Sequence, residues 1–198
     1  MAMHDSEPVI VAATSLEARA VQRRAPAARV LESGVSLARL DGSSLGAIAI
    51  SCGLAGGLRG DLPTGTVLIP SMLGTTSGES IECDVEWTRR LRHAAQGLGL
   101  ATVDAPLLSS AKLVTCGDRA YWAERGYSGV DMESAFIRAD AIAAVRVILD
   151  TPQHELSPEW LNPARAFLNP RNWGQAMWLA REGPRCADLA ARIIAAAL

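Results

Sequence analysis

Two short segments constrain this chain most. Gly129-Val130-Asp131-Met132-Glu133-Ser134-Ala135 places an acid-Met-acid triplet where an apolar strand meets an Ala-rich stretch. Shortly after it, Val145-Arg146-Val147-Ile148-Leu149 is an aliphatic run broken only by Arg146 and ended by Asp150. Runs of this length and character suit strands buried on both faces. Carboxylates at the ends of such strands lie at the edge of an open α/β sheet, where ligands bind.

Further segments follow the same pattern. Residues 8–13, 28–32, 46–52, 66–69, 111–116, 128–131 and 144–149 read as strands, the last of them closing the sheet. Helices are expected from Leu16 to about Arg24 with Ser15 as cap, from Asp84 to Leu98, near 120–124, and over 132–143. Residues 53–60 read as a Gly-rich loop, and 71–84 as a polar loop with a strand at its end. Beyond Asp150, prolines 152, 158, 163 and 170 punctuate a helical tail, about 157–198, that ends in helices near 172–182 and 184–197. Strands alternating with helices predict an α/β sheet covered on both faces. The length of 198 residues suits one domain spanning 1–198.

Composition excludes several classes of function. A net charge of −2 gives no electrostatic case for nucleic acid or an anionic membrane. No apolar run is long enough for an integral membrane segment, and Met1–Glu7 lacks a signal-peptide core. Cys52, Cys83, Cys116 and Cys186 show no CxxC spacing, and no histidine stands at a ligand interval, so no metal site is expected. Scattered cysteines read as reduced core thiols of a cytoplasmic protein. Three of the five tryptophans, Trp160, Trp173 and Trp178, fall late in the chain. They read as packing anchors, or as the lining of an apolar groove or subunit interface.

With these motifs in view, the chain resembles the nucleoside phosphorylase and nucleosidase superfamily, and within it the hopanoid-associated phosphorylase branch. The resemblance rests on Gly53-Leu54-Ala55-Gly56-Gly57-Leu58, Gly65–Pro70, Val130–Ser134, Val145–Asp150 and the tail Asn172–Arg181, in that order. It implies a three-layer α/β/α sandwich with a mixed, twisted central sheet, phosphorylase/hydrolase-like, part of which closes toward a small barrel. It also implies a homo-oligomer that cleaves the N-glycosidic bond of an adenosine-like nucleoside, with no metal or organic cofactor; the 5′ substituent stays open among hydroxyl, methylthio, homocysteinyl and the hopane of adenosylhopane.

The same resemblance assigns roles. Asp150 matches the general acid that protonates N7 of the purine. Glu133 matches the glutamate that binds the ribose hydroxyls, Met132 the methionine beneath the ribose, and Glu17 the glutamate that orients attacking water. Gly117 and Asp118 match a Gly-Asp loop beside the base, with Ala120 and Tyr121 following, and Gly53 lets backbone approach the sugar or nucleophile. Each has an ordinary alternative: a helix cap for Asp150, a first-turn acid for Glu133, a core side chain for Met132, a solvated acid for Glu17. Asp131 reads as structural.

The chain also departs from the pattern. Ser51 and Leu54 stand where phosphorylases hold phosphate with arginine and serine, which favours water as nucleophile. Arg19, Arg24 or the amides of Gly56 and Gly57 keep phosphate open as a co-substrate. Leu149 stands where a serine commonly precedes the acid, and the segment 33–48 is too short for the helix that usually follows the second strand. A phosphorylase and a catalytically degenerate purine-binding protein are the two alternatives.

Overall fold

The computed structural model describes residues 7–40, 44–161, 166 and 169–198. Met1–Ser6, residues 41–43 of the shortened segment, and the surroundings of Pro163 lie outside the described residues.

Ten strands and four α-helices are present among these residues. The strands are β1 (Val9–Ala12), β2 (Arg29–Glu32), β3 (Ile48–Gly57), β4 (Val67–Leu68), β5 (Met72–Thr75), β6 (Ser80–Glu82), β7 (Thr102–Val103), β8 (Leu107–Ser109), β9 (Gly129–Asp131) and β10 (Ala141–Ile148). The helices are α1 (Ser15–Arg24), α2 (Val85–Gly97), α3 (Cys116–Glu124) and α4 (Trp173–Ala197).

The fold is α/β with one mixed sheet. Its path runs β6-β5-β8-β9-β3-β10-β4-β7, while β1 joins β3 and carries β2. The axis is β3, paired in parallel with β1 and with β10 over the register Ile48↔Ala141 to Ala55↔Ile148. Its last residues, Gly56 and Gly57, switch to antiparallel pairing with Val130 and Gly129 of β9. One strand thus belongs to two parts of the sheet, and those parts curl over a shared interior. The interior includes Val11, Ala49, Leu68, Leu73, Leu107, Ala144 and Ile148. A Cβ on Gly129 would lie 2.5 Å from Leu68 Cδ1, so β9 and β4 meet across it.

On the other face, Ile10, Ile50, Val145 and Val147 pack against Val21, Leu91, Ala190 and Ile194 from α1, α2 and α4. The helix α3 covers β8 and β9 from the opposite side, with Trp122 and Ala123 against Leu108 and Val130. Strand alternation therefore sorts β10 into two faces, with Val145 and Val147 toward the helices and Ala144 and Ile148 inward.

Several elements differ from expectation. The cap of α1 is Thr14 rather than Ser15, in a capping box closed by Glu17. Gly53–Gly57 is strand, not loop, because its missing side chains let other groups approach β3. The segment 111–115 is not a strand; β8 lies just before it, and Lys112–Val114 turn toward a cleft. Hairpin strands β5 and β6 occupy the expected polar loop.

No helix spans 132–143. A single 3-10 turn, Ser134–Phe136, stands there, and β10 begins at Ala141. Hydrogen bonds from the Ser134 amide to Asp131, and from the Ala135 amide to Ser109 Oγ, compete with helix formation. In the tail, one continuous helix replaces two. It carries Pro184 internally, at the loss of a backbone hydrogen bond, while its buried face packs on α1 and the sheet.

Closure of the curled sheet over Gly129 makes a prediction. Gly129→Ala should lower stability by about 1–3 kcal/mol through overpacking. Leu68→Val should recover part of that loss in a double-mutant cycle followed by urea unfolding.

Candidate functional site

The parallel strands β1, β3 and β10 end at one edge of the sheet, and a cleft of about 260 Å³ opens there. Glu17, Met132, Glu133 and Asp150 line it together with Val35, Leu54 and Gly56. Four of the residues expected from the sequence are thus brought into one cavity. Gly53 lies directly beneath, since a Cβ there would collide with the Glu17 carboxylate and come within 2.7 Å of Arg146. Gly117, Asp118 and Tyr121 are exposed on α3, outside the lining; Lys112, Leu113 and Val114 occupy that wall instead. The lining includes none of the tryptophans. Trp178 stacks on His154, and Trp160 donates to Gln175.

Glu17 reaches the site because it is the third residue of α1. Its Oε2 accepts from the Thr14 amide at 2.8 Å and the Thr14 hydroxyl at 2.7 Å, and its Oε1 accepts from the Leu54 amide at 2.8 Å. It is only 4% exposed, so it is not the solvated acid that a first helical turn suggests.

Behind Glu17 lies Arg146, 1% exposed in the middle of β10. Its Nε pairs with Asp131 at 2.9 Å, and its Nη2 stands 3.6 Å from Glu133 Oε2. Nη2 also donates to Ser51 Oγ at 2.6 Å and Ser134 Oγ at 3.1 Å. Asp131 in turn accepts from Ser109 Oγ at 2.6 Å and from the Ser134 hydroxyl. Burial alone would lower the Arg146 pKa, but Asp131, Glu133 and Glu17 outweigh it and hold the guanidinium above its ordinary value. Burial pushes the Glu133 carboxyl up, against the pull of Arg146 and with the help of Asp131.

Glu133 is also held from outside the sheet. The amide of Ser36 donates to its Oε1 at 3.0 Å. Ser36 and its neighbour Leu37 adopt left-handed backbone, with φ of 54° and 57°, which non-glycine residues rarely do. Among the described residues of the shortened segment, this turn stands where a helix was missing.

Asp150, directly beyond β10 and its extension Leu149, sits at the other end of the glycine run. A Cβ on Gly56 would lie 3.2 Å from its Oδ1. Its Oδ2 accepts from Arg119 Nη2, and Arg119 is itself buried. Where the sequence resemblance implies a serine before the acid, the partner here is an arginine from α3.

The sequence reading missed Arg119, Arg146 and the three serines. Arg146 left a signal, since an arginine inside an aliphatic strand must find buried carboxylates. The cations Arg19 and Arg24, considered for phosphate, lie outside the lining; Arg24 pairs with Asp188 of α4. Among the described residues, no cluster of three metal-ligating side chains occurs, and no helix is long and apolar enough to cross a membrane.

No family model matches the chain, and no curated protein sequence matches it. Solved structures do. Futalosine hydrolase of Helicobacter pylori aligns at a TM-score of 0.73 and 12% identity, over 96% of each chain. The 5′-methylthioadenosine/S-adenosylhomocysteine nucleosidase of Neisseria meningitidis, in complex with methylthio-immucillin-A, aligns at 0.71 and 14%, over 97% of this chain and 98% of its own. The Helicobacter pylori nucleosidase of the same name aligns at 0.70 and 14%, over 94% of each. The fold is shared with this hydrolase and these nucleosidases over nearly the whole chain.

Two outcomes follow from the buried cluster. Arg146→Met should cost about 3–5 kcal/mol, because it leaves buried carboxylates without their cation; urea unfolding measures this. Glu133 has a folded pKa above its ordinary 4.5, so its ionisation costs stability as pH rises from that value toward the folded pKa. Glu133→Gln should therefore gain stability relative to wild type as pH rises through that window, in paired urea titrations.

Proposed function

We propose that this protein cleaves the N-glycosidic bond of an adenosine-like purine nucleoside, with water as nucleophile. The observation that carries the reading is the placing of two carboxylates along one glycine run, Glu17 against Gly53 and Asp150 against Gly56. Both carboxylates line the same cleft, as the acid and the base of such a cleavage must.

The chemistry then divides among the lining residues. Asp150 donates its proton to N7 of the purine as the C1′–N9 bond breaks and its electron pair moves into the base. Glu133 accepts hydrogen bonds from the ribose hydroxyls while the sugar takes on oxocarbenium character, with Met132 beneath it. Glu17 takes a proton from the water whose oxygen bonds to C1′. The products are a free purine and a free sugar, and the balance needs no cofactor.

Water is favoured over phosphate by the charge of the site. Arg146 is enclosed by Glu17, Asp131 and Glu133, and Arg119 is paired with Asp150. A phosphate dianion would meet three carboxylates against Lys112, the one cation of the lining without an ion pair among the described residues. The degenerate purine-binding alternative draws on Leu54 and Leu149, and the turnover assay separates it from the nucleosidase.

An apolar 5′ substituent is supported by Val35, Leu54, Leu113 and Leu156 in the cleft lining. The sequence resemblance adds the hopane of adenosylhopane as one candidate beside a hydroxyl, methylthio or homocysteinyl group. It also carries a cytoplasmic homo-oligomer of single-domain subunits into the proposal, which sedimentation addresses.

The test is adenine release from adenosine, methylthioadenosine and an apolar 5′-substituted adenosine, with and without phosphate. Release should proceed without phosphate, and Asp150→Asn should lower kcat by roughly 10²–10⁴-fold. Dependence on phosphate would make the protein a phosphorylase, and adenine binding without release would make it a binding protein.

A further inference from the structure

We propose that Arg119 is the positioning residue of Asp150, fixing which carboxylate oxygen faces the base. This rests on the reading of Asp150 as the acid. Among the described residues, Arg119 is the one side chain hydrogen-bonded to the Asp150 carboxylate. The neighbouring lining residues Leu149, Val130 and Leu156 are apolar and cannot orient a carboxylate plane. An aspartate rotates about two side-chain bonds, so without a polar partner its oxygens would exchange places.

Arg119 can impose an orientation because it is itself tied to the sheet. It is 3% exposed, and its Nη1 donates to the Gly57 carbonyl at 2.8 Å. Gly57 is paired to Gly129 of β9, so the guanidinium is anchored to backbone on the same strand that forms the cleft floor. The planar fork then commits Nη2 to Asp150 Oδ2. The other oxygen, Oδ1, is left beside Gly56, facing cleft space.

Glu155 completes the arrangement. Its Oε1 lies 3.3 Å from Arg119 Nε, and neither atom has another partner among the described residues. Flanked by two carboxylates, Arg119 is unsuited to holding an anionic ligand. Its work is to orient Asp150, which costs kcat rather than substrate affinity when lost.

The experiment compares adenine release from methylthioadenosine, adenosine and an apolar 5′-substituted adenosine by wild type, Arg119→Ala, Arg119→Lys and Asp150→Asn, with and without added guanidinium chloride. Arg119→Ala should lower kcat by roughly 10–100-fold with KM unchanged. Guanidinium should restore part of that kcat, and should restore none to Asp150→Asn. A purely structural arginine would not show this pattern.

Wild-type kcat in Arg119→Ala, or a raised KM with kcat intact, overturns the proposal. If Arg119→Ala does not fold, Arg119→Lys decides. Lysine keeps the charge but cannot bond Asp150 and Gly57 together, so wild-type kcat in that variant also overturns it. Release abolished by Asp150→Asn but spared by both Arg119 variants overturns this inference alone. No release by wild type from any of the three nucleosides overturns the nucleosidase reading, and this inference with it.

Discussion

A guanidinium with almost no access to water, held among three carboxylates, is the interaction on which the rest of the cleft depends. Arg146 comes from β10, Glu17 from α1, and Asp131 and Glu133 from the end of β9. Strand pairing and the packing of α1 bring these elements together, and the cluster neutralises the one cation enclosed between them. A buried ion pair is weak evidence for stability, since its desolvation offsets much of its attraction. What the cluster supplies is placement. Serines 51, 109 and 134 fill the remaining hydrogen-bonding positions, so that the carboxylates are ordered before any ligand arrives.

The glycine run of β3 is the second constraint, and it follows from the first. The strand needs no side chain at Gly53 because the Glu17 carboxylate and Arg146 occupy that space. It needs none at Gly56 because Asp150 comes close there. A sequence with glycine at these points reads as a loop, whereas the chain stays extended and uses the missing side chains as volume. The close approach read for Gly53 holds, but it is made by the Glu17 carboxylate and Arg146, and the expected loop is strand through Gly57.

The alternation of apolar runs with helical stretches made the sheet legible, and strand-end carboxylates made Glu17, Glu133 and Asp150 legible with it. Arg146 could have been read too, since an arginine between Val145 and Val147 demands partners and Asp131 and Glu133 stand upstream. The capping box of Thr14 and Glu17 is a sequence pattern as well, obscured by Ser15. Arg119 was not legible. It sits among Asp118, Ala120 and Tyr121, all exposed, and only the packing of α3 on β8 and β9 shows that it is buried. The wall of Lys112–Val114 and the loss of a helix after Met132 also depend on contacts distant in the chain.

The capping box has a consequence for how this cleft loses its integrity. Glu17 satisfies the amide of Thr14, the cap of α1, and the Leu54 amide of β3 with the same carboxylate. Fraying of the first helical turn and disassembly of the cleft are therefore a single event. Amide hydrogens at Thr14 and Leu54 become a matched pair of reporters, exchanging with solvent together whenever that turn opens. Competence of the site is thus set by a local opening equilibrium at one helix end, which can shift while the sheet beneath stays folded.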